Sequence, residues 1–264
     1  MTHDSIDPAA VRRYFDGVGS AAATAGYMAH ERKLPAAAAA YRKRCELEIL
    51  RDWLDAVPRS ARVLDVGCGS GNWAEVFAAR YAHVTGIDQS AAMIDPARQR
   101  LEAMQNVELL TGDVLSDLPN ETFDLIFVGG VCMYLNDADV EALFRLLAAR
   151  LRSGGTIILR ESTVRRGRRV LRGSYQAVYR SVADYCALIG AHVIPRNVEV
   201  RRNRGYERFE IAADLADLIP GNSGAITWRV VRALTPLAFN LLPALMDGLR
   251  VEWPRLQNHF FRVT

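Results

Sequence analysis

A chain of 264 residues, half of them apolar, is long enough to bury one sizeable α/β core with an added cap and too short for two full domains. Its net charge of +3 is too small to make nucleic acid a default partner, and its four cysteines, Cys45, Cys68, Cys132 and Cys186, lie too far apart for a disulfide scaffold or a zinc site. No basic start followed by an apolar run opens the chain and no stretch reaches membrane-spanning length, so a cytoplasmic protein with reduced thiols is expected.

Asp7 followed by Pro8 reads as a helix cap with proline in the first turn, opening an amphipathic helix through Val11, Tyr14 and Phe15 that Gly17 and Gly19 interrupt. A second helix starts after Pro35 and runs through an alanine tract, Tyr41, Leu50 and Trp53 to Pro58. Residues 1–58 are thus expected to form a helical cap or lid ahead of the sheet. Val63, Leu64 and Val66 make a first strand, which runs into three glycines and a helix over Asn72–Arg80. His83–Asp88 is a second strand with an acid at its end. Ser90 caps a helix reaching Met104, and Val107–Leu110 form a third strand followed by Thr111, Gly112 and Asp113. Phe123–Val128 is a nearly continuous apolar run, as a central strand buried on both faces requires. A helix over Asn136–Leu151 and a strand over Ile157–Arg160 follow, and strand–helix units in this order predict a parallel sheet. Beyond Glu161, Ser181–Ile189 reads as a helix. Val193–Val200 and Arg208–Ile211 read as a closing hairpin, and 213–264 as an apolar helical extension divided by Pro236, Pro243 and Pro254.

The stretch Arg62–Trp73, RVLDVGCGSGNW, carries the strongest signal. A strand entering a glycine turn and then a helix is where an open α/β sheet holds a nucleotide-like ligand, because glycines let the backbone approach closely. The glycines fall as GxGxG, with Asn72 where a dinucleotide fingerprint has its third glycine, so pyrophosphate is disfavoured. Asp65 ahead of them can accept from an ammonium. In DVGCGSG the chain resembles motif I of the class I S-adenosylmethionine (SAM)-dependent methyltransferases of the small-molecule type, and the resemblance continues to about Glu161. It implies a doubly wound, mostly parallel, seven-stranded α/β sheet with its core at 59–212, between an N-terminal helical lid and a helical C-terminal extension.

The same resemblance implies SAM as cofactor, with S-adenosylhomocysteine as product. Asp88 would take both ribose hydroxyls, since one carboxylate accepts two hydrogen bonds. Asp113 and the backbone of Val114 would meet the adenine. Asp65, Gly67, Cys68 and Gly69, together with Gln89, Val128 and Gly129, would complete the cradle. Related enzymes hold the methionine carboxylate with an arginine and a tyrosine of the N-terminal helices, for which Arg44 or its neighbour Arg42 and Tyr27 or Tyr14 are placed.

The acceptor is less legible. Gly129-Gly130-Val131-Cys132-Met133-Tyr134 follows the fourth strand, where base-amino methyltransferases carry Asn or Asp before two prolines and catechol enzymes carry a Mg²⁺-binding acid. Neither nucleobase methylation nor a catalytic metal is therefore expected. Tyr14, Tyr134, Arg160 and Tyr179 are expected to line the acceptor pocket, and Tyr175 shares a predicted helix face with Tyr179. His30 in the lid and Tyr175 are the candidate catalytic residues. Arginines at 160, 165, 166, 168, 169 and 172, and again at 201, 202, 204 and 208, suit an anionic small molecule; without aromatic interleaving they do not suggest RNA. The expected reaction is metal-independent methylation of an oxygen or nitrogen in secondary metabolism, such as antibiotic biosynthesis. A C-methyltransferase acting on a lipid or prenyl chain, a SAM-binding regulatory subunit without catalysis, and a homodimer formed through the cap or tail remain open alternatives.

Overall fold

The computed structural model describes residues 5–22, 34–193, 197–218, 224–233 and 256–264. Helices α1 (Pro8–Ala22) and α2 (Ala36–Asp55) precede β1 (Arg62–Val66), α3 (Asn72–Ala78), β2 (His83–Asp88), α4 (Ala91–Leu101), β3 (Val107–Thr111) and β4 (Phe123–Gly129). A 3-10 turn at Cys132–Tyr134 leads to α5 (Asp137–Arg150), the long β5 (Leu151–Val164), and the short β6 (Arg168–Leu171) and β7 (Ala177–Ser181). Then come α6 (Val182–His192), β8 (Val198–Arg202), α7 (Arg204–Leu218), α8 (Gly224–Ala233) and β9 (Gln257–Val263).

Strands β3-β2-β1-β4-β5 lie side by side and parallel. β9 runs antiparallel to β5, from Ile157 opposite Val263 to Thr163 opposite Gln257, and β8 pairs antiparallel with β9. That is the seven-stranded sheet expected from the sequence. The β6–β7 hairpin adds two strands at the carboxyl end of β5, where β7 pairs with Thr163 and Val164. Alternation along each central strand sorts side chains into two layers. Leu64, Val66, Ile126, Val128, Ile157 and Leu159 pack with α5 and α6, whereas Val63, Leu125, Phe127 and Ile158 pack with α2 and α3. Both faces are covered, which is why these strands are apolar almost throughout.

Three expectations need correction. Gly17 and Gly19 do not interrupt the first helix, which runs unbroken from Pro8 to Ala22. Arg208–Ile211 is not a strand: it lies within α7, whose buried Tyr206, Phe209, Ala213 and Ala216 recur at helical spacing. The sheet's last antiparallel strand is supplied instead by β9, from the stretch read as helical extension. Its neighbours Phe260 and Phe261 enter opposite layers of the core. Tyr175 and Tyr179 do not share a helix either. Tyr175 precedes β7 and Tyr179 lies on it, and an even spacing on extended chain also puts both side chains on one face. The tail residues around Pro236, Pro243 and Pro254 lie outside the described residues, as do Tyr27 and His30.

The first helix is fastened across the carboxyl edge of the sheet. The Ile6 N–H donates to Asn136 Oδ1 at 2.9 Å and Asn136 Nδ2 donates back to Ile6 O at 3.1 Å. Asp7 N–H donates to Gln176 Oε1 at 2.8 Å, and Ser90 Oγ donates to Asp16 Oδ1 at 2.8 Å. Ile6 and Val11 pack on Val178, with Phe15 and Tyr134 beside them. α1 thus bridges α4 and the β6–β7 hairpin, above the strand ends.

Candidate active site

The turn after β1 is built for close approach. Gly67, Gly69 and Gly71 have φ of +69°, +52° and +79°, a region open to glycine at little cost. A Cβ on Gly67 would sit 2.2 Å from Val131 Cγ2, so the turn after β4 presses directly on the turn after β1. The Gly67 and Cys68 N–H groups both donate to Ile87 O, at 2.8 and 3.1 Å, tying the turn to the end of β2. There Asp88 accepts from Gly69 N–H through Oδ2 and from Ser90 N–H through Oδ1, each at 3.0 Å. Every carboxylate oxygen keeps a lone pair for a ligand. Burial raises the Asp88 carboxyl above its usual range, against the pull of those two N–H groups.

These elements border a cavity of about 450 Å³. Of the expected site residues, Gly67, Cys68, Gly69, Asp88, Gln89, Asp113, Val114, Gly129, Tyr134 and Arg160 are in its wall. Asp65 and Val128 are buried at the strand ends and do not reach it. Asp65 Oδ2 has no hydrogen-bond partner, and burial, with the nearby charge of Asp88, raises that carboxyl to about 8. Arg44 is exposed on α2 with its guanidinium 5.6 Å from the Tyr41 ring centroid, and Arg42 is the arginine that enters the wall. Helical phase separates the two: positions two apart point to different faces.

At the acceptor end the wall is made by Pro8, Val11 and Phe15 of α1, with Met133 and Tyr134 of the turn after β4. Tyr14, Tyr175 and Tyr179 stand one layer back. The Tyr134 and Tyr175 hydroxyls are 3.2 Å apart and those of Tyr175 and Tyr179 are 2.9 Å apart. Tyr14 packs edge-on against Tyr175, and Phe15 edge-on against Tyr134. The turn itself is clamped from below. Arg180, 1% exposed, donates to Cys132 O at 2.7 Å, Leu135 O at 2.8 Å and Asp137 Oδ1 at 2.7 Å.

Sequence reasoning missed Glu46, Ser162 and Tyr206, which also line the cavity. Glu46 and Tyr206 sit on helices that meet the sheet only through tertiary packing. Ser162 was hidden because β5 was read as ending at Arg160, although STV continues its β-prone run to Val164. Of the arginine cluster beginning at 160, Arg160 alone lines the cavity; Arg168 is spent on Asp137.

Glu161 is fully buried beside that turn, accepting from Cys132 N–H at 3.1 Å and from the Tyr185 hydroxyl at 3.4 Å. Burial raises its carboxyl from 4.5 to about 7. The fold therefore favours the protonated acid. Its contribution is complete below pH 4.5 and lost as pH rises through 7, a difference of about 3 kcal/mol. Urea midpoints should fall between pH 5 and 7, and Glu161→Gln should make that fall shallower, leaving the share that Asp65, raised to about 8, contributes over the same range. An equally steep fall in the variant would remove Glu161 as its source.

A parallel sheet of order 3-2-1-4-5 with an antiparallel 9-8 closure, joined to a GxGxG turn after β1, an acid ending β2 and another following β3, is the class I methyltransferase fold. Residues 63–155 match the family model described as a methyltransferase domain. Trans-aconitate 2-methyltransferase of Rhizobium rhizogenes is 36% identical over 113 residues, 41% of this chain and 42% of the relative, so the match spans less than half of that protein. Among solved structures, phosphoethanolamine N-methyltransferase 1 of Haemonchus contortus, in complex with phosphoethanolamine and S-adenosylhomocysteine, superposes with a TM-score of 0.56. It is 21% identical, over 76% of this chain and 46% of that one. Geranyl diphosphate C-methyltransferase of Streptomyces coelicolor, solved with Mg²⁺, geranyl diphosphate and S-adenosylhomocysteine, gives 0.56 at 16% identity over 84% and 78%. At such identities the structures share the fold.

Proposed function

We propose that this chain is a SAM-dependent methyltransferase that moves a methyl group onto an oxygen or nitrogen of a small-molecule acceptor in secondary metabolism, by in-line displacement and without a metal. The observation that carries this reading is one cavity that joins the glycine turn and Asp88 at one end to the α1-covered aromatic wall at the other. The residues present suit the cofactor. Asp88 has lone pairs for two ribose hydroxyls, Asp113 and Val114 line the same cavity and would meet the adenine, and the glycine turn admits close contact. Asp65 lies behind that turn and backs it without lining the cavity.

SAM, when bound, supplies an electrophilic methyl group on a sulfonium. The chain then has to hold a nucleophile in line and keep water away. Phe15, Met133 and Tyr134 supply an apolar wall for this, and the Tyr134 hydroxyl, held through Tyr175 to Tyr179, is placed to orient an acceptor. Tyr175 acts through Tyr134 as a positioning residue, because it does not itself reach the cavity. Among the described residues no helix is long and apolar enough to cross a membrane.

The test combines transfer of a labelled methyl group from SAM to a panel of small acids, amines and phenols with a protein lacking residues 1–34. Removing α1 opens the cavity, so turnover should fall by roughly a hundredfold or more while the core stays folded and still takes S-adenosylhomocysteine. A truncated protein that methylates at the full rate would show that α1 is no lid. No transfer to any acceptor by the full chain, with the cofactor bound, would favour the regulatory alternative.

A further inference from the structure

Glu46, on α2, is 3% exposed, and a single oxygen, Oε1, accepts from Arg160 Nη2 at 2.7 Å, Arg42 Nε at 3.0 Å and Asn203 Nδ2 at 3.2 Å. Two guanidiniums around one carboxylate leave one positive charge in excess below pH 7, where burial keeps the neighbouring Glu161 carboxyl protonated. Burial pushes the Glu46 carboxyl up, but Arg160 and Arg42 together hold it below its usual range, so the carboxylate stays ionised. Arg160 is 9% exposed, lines the cavity, and its Nε has no partner. Arg42 is fixed beside it, its guanidinium 5.2 Å from the Tyr206 ring centroid and 5.4 Å from that of Phe209. Ser162 Oγ donates to the Tyr206 hydroxyl at 3.3 Å, and both groups are in the same cavity wall. A buried cation in excess, set in the wall of a ligand cavity, is destabilising until an anion completes it. A guanidinium fork suits the paired oxygens of a carboxylate or phosphate.

We propose that Arg160 and Arg42, held by Glu46, form an anion subsite in the cavity that takes a carboxylate or phosphate group of the methyl acceptor. The assignment rests on the methyltransferase reading, since the acceptor is defined by it. Glu46 is the positioning residue: it sets the two guanidiniums side by side and leaves the cluster with a charge of one, suited to a single anionic group. A second anion competes for the same chemistry, the carboxylate of the cofactor's own methionine. The two sources differ in what accompanies them.

Calorimetric titration of inorganic phosphate and citrate into the protein loaded with S-adenosylhomocysteine, with choline as the cationic control, separates them. Wild type is expected to bind both anions and not choline. Arg160→Gln should weaken phosphate binding by about tenfold or more, with Arg160→Lys in between, while the affinity for S-adenosylhomocysteine changes less than about twofold. Wild type that binds phosphate no better than choline would overturn the subsite whether or not the variants fold. So would unchanged phosphate binding in Arg160→Gln, or a parallel loss of S-adenosylhomocysteine, which would give Arg160 to the cofactor. Wild type that never takes S-adenosylhomocysteine would overturn the methyltransferase reading and, with it, the assignment to an acceptor.

Discussion

A chain shortened to end before Leu256 is expected to lose its cooperative unfolding transition. The nine residues removed include β9, which lies between β5 and β8 and pairs with β5 at seven positions. Their loss would strip one edge of β5 of its ladder and leave β8 without its partner, exposing backbone N–H and C=O groups designed to be paired. Phe260 and Phe261 are wholly buried, and burial of each is worth about 1.5–3 kcal/mol. Together with Val263 and the broken ladder the loss exceeds about 5 kcal/mol, comparable to the whole stability of a domain. Near-ultraviolet circular dichroism during heating would show a flat trace. A sigmoidal melt near the wild-type midpoint would mean that β9 is an accessory to the sheet.

Arg180→Met should cost about 3–5 kcal/mol, read as a lower urea midpoint. Methionine fills much of the volume but makes none of the hydrogen bonds. Cys132 O and Leu135 O would lose a charged donor inside the protein, and Asp137 would keep only Arg168. The same change loosens the turn that carries Met133 and Tyr134, so cavity and stability should suffer together. A cost under about 1 kcal/mol would show that the clamp contributes nothing net.

The parallel half of the fold was legible because its signals are local. RVLDVGCGSG, HVTGID and FDLIFV each write strand, buried face and end chemistry within a few residues. Of the closing strands, β8 was legible at Val198–Val200, but β9 was not, because the partner of β5 lies nearly a hundred residues downstream and no local pattern marks a register between distant segments. RFEI alternates over four residues yet is helical, since the longer spacing of Tyr206, Phe209, Ala213 and Ala216 decides the element. The site divides in the same way. Its glycine turn and Asp88 could be read in order along the chain. The cluster of Glu46, Arg42 and Arg160 could not, because α2 meets the end of β5 only after folding, and the first of two glutamates in ELEIL looks like any solvated helix position.

The central claim is that this cavity holds SAM through the end of β2. Calorimetric titration of S-adenosylhomocysteine into wild type and Asp88→Ala tests it most directly. One site per chain is expected for wild type, and a loss of about 1.5–3 kcal/mol for the variant, the scale of hydrogen bonds to a charged group. Near-equal affinity in the two proteins, or no binding by wild type, would contradict it.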